Sequence, residues 1–362
     1  MSQTAPIENV PHYPSLSAAW DALSEGSERR YARDLASALN SSEAQLIAAG
    51  CGKNVQKLEG DWGKLIEELG SLGEVKILTR NDHVVHEKVG IFDKISVRGP
   101  MGIVLNHDID LRLFMSHWTS GFAVKTENSK GLRHSLQFFD AAGIAIHKVF
   151  LTGKSDLGAY ETLVAKYRAK EQATELSTSP YEEKSAPKSD ATIDTKGLRE
   201  AWAGMKDVHQ FHAMLRQFEC DRHQSFRLIG TTYAEKLMTT ALRDVLEQAA
   251  ADKISIMVFV GNRGCIQIHT GPIEKIRDMG PWINVLDPGF NLHLREDHIA
   301  EAWLVRKPTK DGNITTLELF DEQGESFALL CGEREAHNPE NRDWQKLLEN
   351  LPRYRSLTEA AE

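Results

Sequence analysis

The densest group of potential ligands in the chain is His209-x-x-His212, followed by Cys220-x-x-His223. Asp207 to Leu215 reads as a helix, and histidines three apart share one helical face. Three chemistries fit these residues. A half-buried helix histidine can make an ordinary hydrogen bond and nothing more, because histidine is intermediate in burial. The imidazoles and thiol are also donor types that bind zinc, although Cys220 and His223 fall on another turn or helix. A neutral imidazole with an open opposite face could instead ligate haem iron. Spacing alone selects none of the three.

Other motifs argue by their incompleteness. Gly50-Cys51-Gly52-Lys53 looks like part of a phosphate loop but lacks the upstream glycine and the following Ser or Thr. No Gly-x-Gly-x-x-Gly predicts a built-in dinucleotide site, and no Gly-x-Ser-x-Gly points to a hydrolase. Without Cys-x-x-Cys-His, any haem would be held noncovalently. The four scattered cysteines (Cys51, Cys220, Cys265, Cys331) suggest free structural thiols in a reducing compartment. A formal net charge of −9 without a concentrated basic run argues against a nucleic-acid footprint. The opening residues carry no secretory-signal pattern, and apolar runs such as Ile254 to Val260 are too short to span a bilayer. A cytoplasmic protein without a membrane span is expected.

The scaffold that must position these residues is duplicated. Gly90 and Gly271 lie 181 residues apart, as do Lys94 and Lys275, Gly99-Pro100 and Gly280-Pro281, and Phe139-Asp140 and Phe320-Asp321. Ala19-Trp20 and Ala201-Trp202 match at 182. A period this long means a repeated domain rather than a solenoid of short units. Chemistry should sit where the copies differ: Arg112 falls on His293, His86 falls on Gln267, and His209 falls near Glu28.

Each copy reads as helices followed by strands. After a proline-containing lead-in, a helix capped by Ser15 or Ser17 carries Trp20. Asp34 to Ala48 and Asn54 to Leu69 read as helices. Val75–Leu78, Val84–Val89, Gly102–Leu105, Phe122–Lys125, His134–Phe139 and His147–Leu151 read as strands of an antiparallel meander. A helix near Leu157 to Lys170 closes the first copy. The second repeats the order, with helices from about 195 to 250, strands to Leu330 and a helix at Trp344 to Leu351. The predicted fold class is α+β: a tandem duplication, each half a broad antiparallel sheet with segregated helices. The expected boundaries are 16–171 for the first repeat, 172–193 for an exposed, mobile linker rich in Ser, Thr, Pro, Lys and Glu, and 194–352 for the second repeat.

Several longer stretches carry a family resemblance. They include Tyr31-Ala32-Arg33-Asp34-Leu35, Asp110-Leu111-Arg112-Leu113-Phe114, Met205-x-Asp207-Val208-His209-Gln210-Phe211, Val258 to Cys265, and Arg306-Lys307-Pro308-Thr309-Lys310-Asp311-Gly312. On these the chain resembles the HemS/ChuS/PhuS (HmuS) family of bacterial haem-utilisation proteins over nearly its full length. The resemblance implies a cytoplasmic protein that receives imported haem b and opens its macrocycle to release iron. Electrons would come from NAD(P)H or a partner reductase. The alternative it implies is a carrier that passes haem to a separate haem oxygenase. The cytoplasmic side of a haem importer is a further implied partner.

The resemblance also assigns residues. His209 matches the proximal iron ligand and His212 an alternative ligand. Arg112 matches a distal arginine. Arg222, Lys307 and Arg334 match basic residues around the propionates, and Phe114, Met257 and Phe259 match apolar wall positions. His86 matches a histidine used for a second haem in some members. Leu329 and Cys331 depart from the glutamine and tyrosine found in at least one relative. The chemistry of the ligand agrees with this set, since haem is a flat apolar plate with two anionic carboxylates.

Overall fold

A computed structural model of the chain describes residues 12–26, 28, 30–128, 131–334 and 338–354. The start of the lead-in, with Pro6 and Pro11, and the last residues lie outside the described residues. The first copy begins with α1 (Leu16–Ser24), α2 (Ala32–Ala38) and α3 (Glu43–Ala48), then β1 (Val55–Leu58) and α4 (Trp62–Glu68). The strands β2 (Gly73–Arg80), β3 (Val84–Ile91), β4 (Ile95–Arg98), β5 (Met101–Leu105), β6 (Asp110–Phe114), β7 (Ser120–Asn128), β8 (Gly131–Phe139) and β9 (Ala145–Ser155) follow, and α5 (Leu157–Tyr167) closes.

The second copy repeats this order. It comprises α6 (Thr195–Ala203), α7 (Gln210–Gln217), α8 (Arg222–Leu228), β10 (Ala234–Leu237) and α9 (Ala241–Asp252). The strands are β11 (Ile256–Gly261), β12 (Cys265–Gly271), β13 (Ile276–Met279), β14 (Trp282–Asp287), β15 (Phe290–Arg295), β16 (Glu301–Thr309), β17 (Gly312–Phe320) and β18 (Ser326–Gly332), with α10 (Arg342–Glu349) last. The fold is α+β and duplicated, as expected.

Local chemistry explains the helix starts. Ser15 accepts from the Ala18 amide at α1, and Ser42 with Gln45 forms a reciprocal capping box at α3. Two expected helices differ. The run from Asp34 to Ala48 breaks into α2 and α3 where Asn40 takes a left-handed backbone (φ 51°), which asparagine tolerates better than most residues. The run from Asn54 begins as the strand β1, because its backbone pairs with β7 from Val55↔Val124 to Leu58↔Gly121.

The expected meander also needs correction. The strands form two nine-stranded sheets, in the orders β1-β7-β8-β9-β2-β3-β15-β14-β13 and β10-β16-β17-β18-β11-β12-β6-β5-β4. Each sheet takes six strands from one copy and three from the other. The compact units are correspondingly discontinuous in sequence. Residues up to Arg80, Glu87–Glu182 and Asn262–Gln267 form one; Asn81–His86, Glu183–Gly261 and residues from Ile268 form the other. Within the first unit Gly264 approaches Ile146 so closely that a Cβ would meet it at 2.7 Å.

The segment after α5 has no regular structure as far as Ser189, but much of it is tethered. Gln172 donates to Lys57 O and Ala169 O, Leu176 O accepts from Gln45, and Ser179 N donates to Ala141 O. The Tyr181 hydroxyl bonds to Asp140, and Arg263 stacks 3.5 Å from the Tyr181 ring centroid. The first ten residues of the 172–193 segment are therefore held by hydrogen bonds to backbone groups and by one aromatic ring. Limited proteolysis should cut first at Lys184 or Lys188, whose exposed side chains hold only surface ion pairs. First cleavage at Lys170 would contradict this tethering.

One buried titratable group has a consequence for stability. His147 is 1% exposed, and its Nδ1 lies 2.9 Å from Thr79 Oγ1. Burial pushes its pKa down to about 3, so folding holds the ring neutral. The unfolded chain takes up that proton near the ordinary histidine value of about 6.5. This contribution is therefore complete above about pH 6.5 and is lost as the pH falls towards 3, with a slope of at most ~1.4 kcal/mol per pH unit. His147→Gln should flatten the fall in urea-unfolding free energy across that window. An unchanged slope would show that this histidine does not set acid sensitivity.

Candidate functional site

The most distinctive polar group in the second unit is built on one face of its sheet. Cross-strand pairing aligns Phe259, Leu329, Glu318 and Trp303 in one row, and Met257, Cys331, Thr316 and Val305 in the next. Lys307 follows Val305 on the same face, because side chains alternate along a strand. Helices α6 to α8 cover part of this face: Trp202, Phe211 and Phe226 pack with Trp303, Val305 and Phe320. Met257, Phe259 and Leu329 remain half-buried.

Glu318 is fully enclosed at 0% exposure. Its Oε1 accepts from Lys307 Nζ at 2.5 Å and Thr316 Oγ1 at 3.0 Å, and its Oε2 accepts from Arg222 Nε at 2.6 Å. Burial alone would raise its pKa, but Arg222 and Lys307 outweigh that and hold the carboxyl down to about 2. The Lys307 ammonium sits 4.7 Å from the Phe211 ring centroid and 6.0 Å from that of Phe226. Burial lowers its pKa, and the Glu318 charge opposes that shift. Arg222 is more open, with its guanidinium carbon 5.2 Å from the Phe211 centroid. One carboxylate and two cations leave the cluster with a net positive charge.

His209 is the residue immediately before α7 rather than inside a continuous 207–215 helix. Its side chain is 91% exposed. The Asp207 carboxylate takes its backbone N–H at 2.8 Å and lies 2.6 Å from ring Nδ1. Those two bonds from His209 hold Asp207 below the usual carboxylate range despite desolvation, with a further contribution from Arg334. The second ring nitrogen, Nε2, has no hydrogen-bond partner among the described residues. An imidazole oriented by a carboxylate with its other nitrogen open is the arrangement of a metal-ligating histidine.

His212 lies one turn on, its ring centroid 5.4 Å from that of Phe211. Desolvation lowers its pKa, and the positive charges of Arg222, Lys307 and Arg216 add to the shift, so it is neutral at neutral pH. Arg334 is exposed. Arg112 and Phe114 belong to the other compact unit. They project from the same face of β6 as Asp110, to which the half-buried Arg112 is ion-paired. Desolvation raises the Asp110 pKa, against the pull of Arg112 and Lys88.

The structure thus gathers His212, Arg222 and Lys307, ties His209 to Asp207, and places Met257 and Phe259 on the face that carries Glu318. Lys307 is enclosed at 4% exposure rather than set at a rim. His86 is 0% exposed, its ring centroid 5.0 Å from that of Phe290, and such enclosure leaves no open face for a second haem. The donors of the zinc reading are engaged separately. Cys220 Sγ donates to Asp221 O at 3.5 Å, and His223 Nε2 lies 2.6 Å from Glu301 Oε2. Among the described residues, no three His, Cys, Asp or Glu side chains gather as a metal site.

Sequence reasoning missed Glu318 and Asp207. The signal for Glu318 was available, since 181 residues earlier stands the neutral Gln137, with Ser135 matching Thr316 and Thr126 matching Lys307. In the first copy the residue that immediately precedes the second helix, as His209 precedes α7, is Tyr31.

Known proteins match along the whole of this arrangement. A family model described as the haemin-degrading HemS.ChuX domain matches twice, over residues 40–167 and 219–351. The hemin transport protein HmuS of Yersinia pestis is 42% identical over 327 residues, covering 89% of this chain and 93% of that protein. Holo-PhuS, a heme-binding protein from Pseudomonas aeruginosa, is 44% identical with a TM-score of 0.91, covering 95% of this chain and 100% of that one. ChuS, described as an E. coli heme oxygenase, is 39% identical with a TM-score of 0.83, covering 93% and 99%.

Proposed function

Because the chain belongs to the haemin-degrading HemS/ChuX family, we propose that it binds haem through His209 and opens the macrocycle to release iron. The observation that carries this reading is the His209 ring, fixed at Nδ1 by Asp207 with Nε2 open to a ligand. Haem is the substrate, held noncovalently as haem b. Its carboxylates suit the net positive Arg222–Lys307–Glu318 cluster and the exposed Arg334. Its apolar plate suits Met257, Phe259 and Phe114. No helix is long and apolar enough to cross a membrane among the described residues. In the haem reading the protein acts in the cytoplasm, where it would take haem from an importer.

Within this reading the protein supplies ligation, orientation and a hydrogen-bond donor, while haem, dioxygen and an external electron donor supply the redox chemistry. That donor would be NAD(P)H or a partner reductase. Arg112 would be the distal donor, since a guanidinium keeps its charge and only donates. A second reading, a carrier that delivers haem to a separate oxygenase, is favoured by His212. A neutral imidazole one turn from His209 would permit stepwise transfer between ligands. Addition of reductant under air with catalase separates the two. Loss of the Soret band with a linear tetrapyrrole product supports degradation, and a persistent band supports the carrier.

His209→Ala should shift or weaken the Soret band of the haem complex, and His209→Ala combined with His212→Ala should remove any rescue. His293→Ala should leave the band as in wild type. A double variant spectrally identical to wild type would refute the ligand assignment.

Arg112→Ala should still bind haem, about tenfold more weakly if ~1.4 kcal/mol is lost. Its catalase-insensitive turnover should fall further, because a donor acts most strongly as charge develops on oxygen. Arg112→Lys should restore the charge without the planar fork and rescue only in part. Equal losses of binding and turnover in both variants would reduce Arg112 to a docking residue and favour the carrier.

A further inference from the structure

Arg222 and Lys307 have a task in haem binding; Glu318, between them, has none so far. A buried carboxylate is costly unless its lone pairs are met, and Glu318 meets this with three donors from Arg222, Lys307 and Thr316. The consequence for Arg222 is specific. Only its Nε is used by Glu318, and neither terminal nitrogen has a hydrogen-bond partner among the described residues. The guanidinium is held from behind, lies against Phe211, and keeps a quarter of its side chain exposed. A planar fork fixed in this way is matched to the two oxygens of an incoming carboxylate.

The matched positions of the first copy, Gln137, Ser135 and Thr126, carry no charge, so this device belongs to the second copy alone. We infer that Glu318 is a positioning residue that aims the Arg222 fork, with Lys307 behind it, at a carboxylate of the bound substrate. The inference rests on the haem reading and names the substrate group that the cluster selects. Loss of the Glu318 charge would free Arg222 to swing towards solvent. It would also leave Lys307 enclosed without its counter-charge. His212, Arg216 and Cys331 are the other charged or titratable groups near this cluster, and none of them carries the negative charge that Glu318 supplies.

The test compares the full-length protein's affinity for haem with that for haem dimethyl ester, whose two carboxylates are masked, by Soret titration. Wild type should favour the free acid by about tenfold or more, the scale of a charge-assisted hydrogen bond. Glu318→Gln should lower that ratio severalfold, to what Arg334 alone provides, with the Soret position set by His209 unchanged. Glu318→Asp keeps the charge but is one methylene too short to serve both cations, and should fall between. Against an Arg222→Met background, Glu318→Gln should change the ratio no further.

Full discrimination retained in Glu318→Gln, or an increased ratio, would overturn the inference, since Glu318 would then only neutralise Lys307 or compete with the substrate. If Glu318→Gln fails to fold by circular dichroism, Glu318→Asp with wild-type discrimination overturns it equally. A wild-type protein that binds no haem would remove the haem reading and this inference together. Haem binding with discrimination insensitive to Glu318 removes the inference alone.

Discussion

Two asparagine side chains satisfy the turns on which the sheet architecture depends. Asn81 Oδ1 accepts from the His83 and Val84 amides, while its Nδ2 donates to Gly261 O at 3.1 Å and Phe327 O at 2.8 Å. Asn262, 181 residues later, repeats the pattern on Gly264 and Cys265, with Nδ2 donating to Arg80 O at 3.0 Å and Ile146 O at 2.8 Å. Each amide thus uses both acceptor sites and both donors, the full capacity of the group. The turns fall where chain segments 81–86 and 262–267 leave the contiguous order of their own copy. Backbone groups there would otherwise go unpaired, at a cost comparable to lost hydrogen bonds.

The copies have diverged where chemistry is possible and not where the scaffold is made. Asn81 and Asn262 are kept. Trp20 and Trp202 are kept as the largest buried side chains of their helical layers. Glu318 against Gln137, Lys307 against Thr126 and Arg112 against His293 are not. Even one turn shows both tendencies. Gly264 is forced by Ile146, whereas its counterpart His83 has room to reach Asp321 at 3.0 Å and His298 at 2.8 Å. The scaffold positions are bound by packing and hydrogen bonding; the others are released from it.

This division explains what could be read from sequence. The repeat, the fold class and the order of helices and strands were legible because they rest on local periodicity. The strand β1 was not, because Val55–Leu58 becomes a strand only through its pairing with β7. Nor was the exchange of β4 to β6 into the other sheet, since alternating side chains read the same whichever strand lies alongside. His209 was visible from its spacing to His212 and from the resemblance. Glu318 hid in a β-branched, apolar stretch, Ile314-Thr315-Thr316-Leu317-Glu318, whose single acid looks like an outward-facing strand residue. Its burial depends on Arg222, which is brought to it from 96 residues away.

The exchange of strands also sets the order in which the chain can fold during synthesis. β3 finds its neighbour β15 only after about two hundred further residues have been made, and β6 waits about one hundred and fifty for β12. Closing such distant pairs is entropically slow, and a nascent first copy must meanwhile carry strand edges that nothing yet covers. The ribosome therefore releases a first half that cannot finish its sheet alone. Its vulnerability to edge-to-edge association lasts until the second Asn-containing turn, near residue 262, and the strands after it emerge.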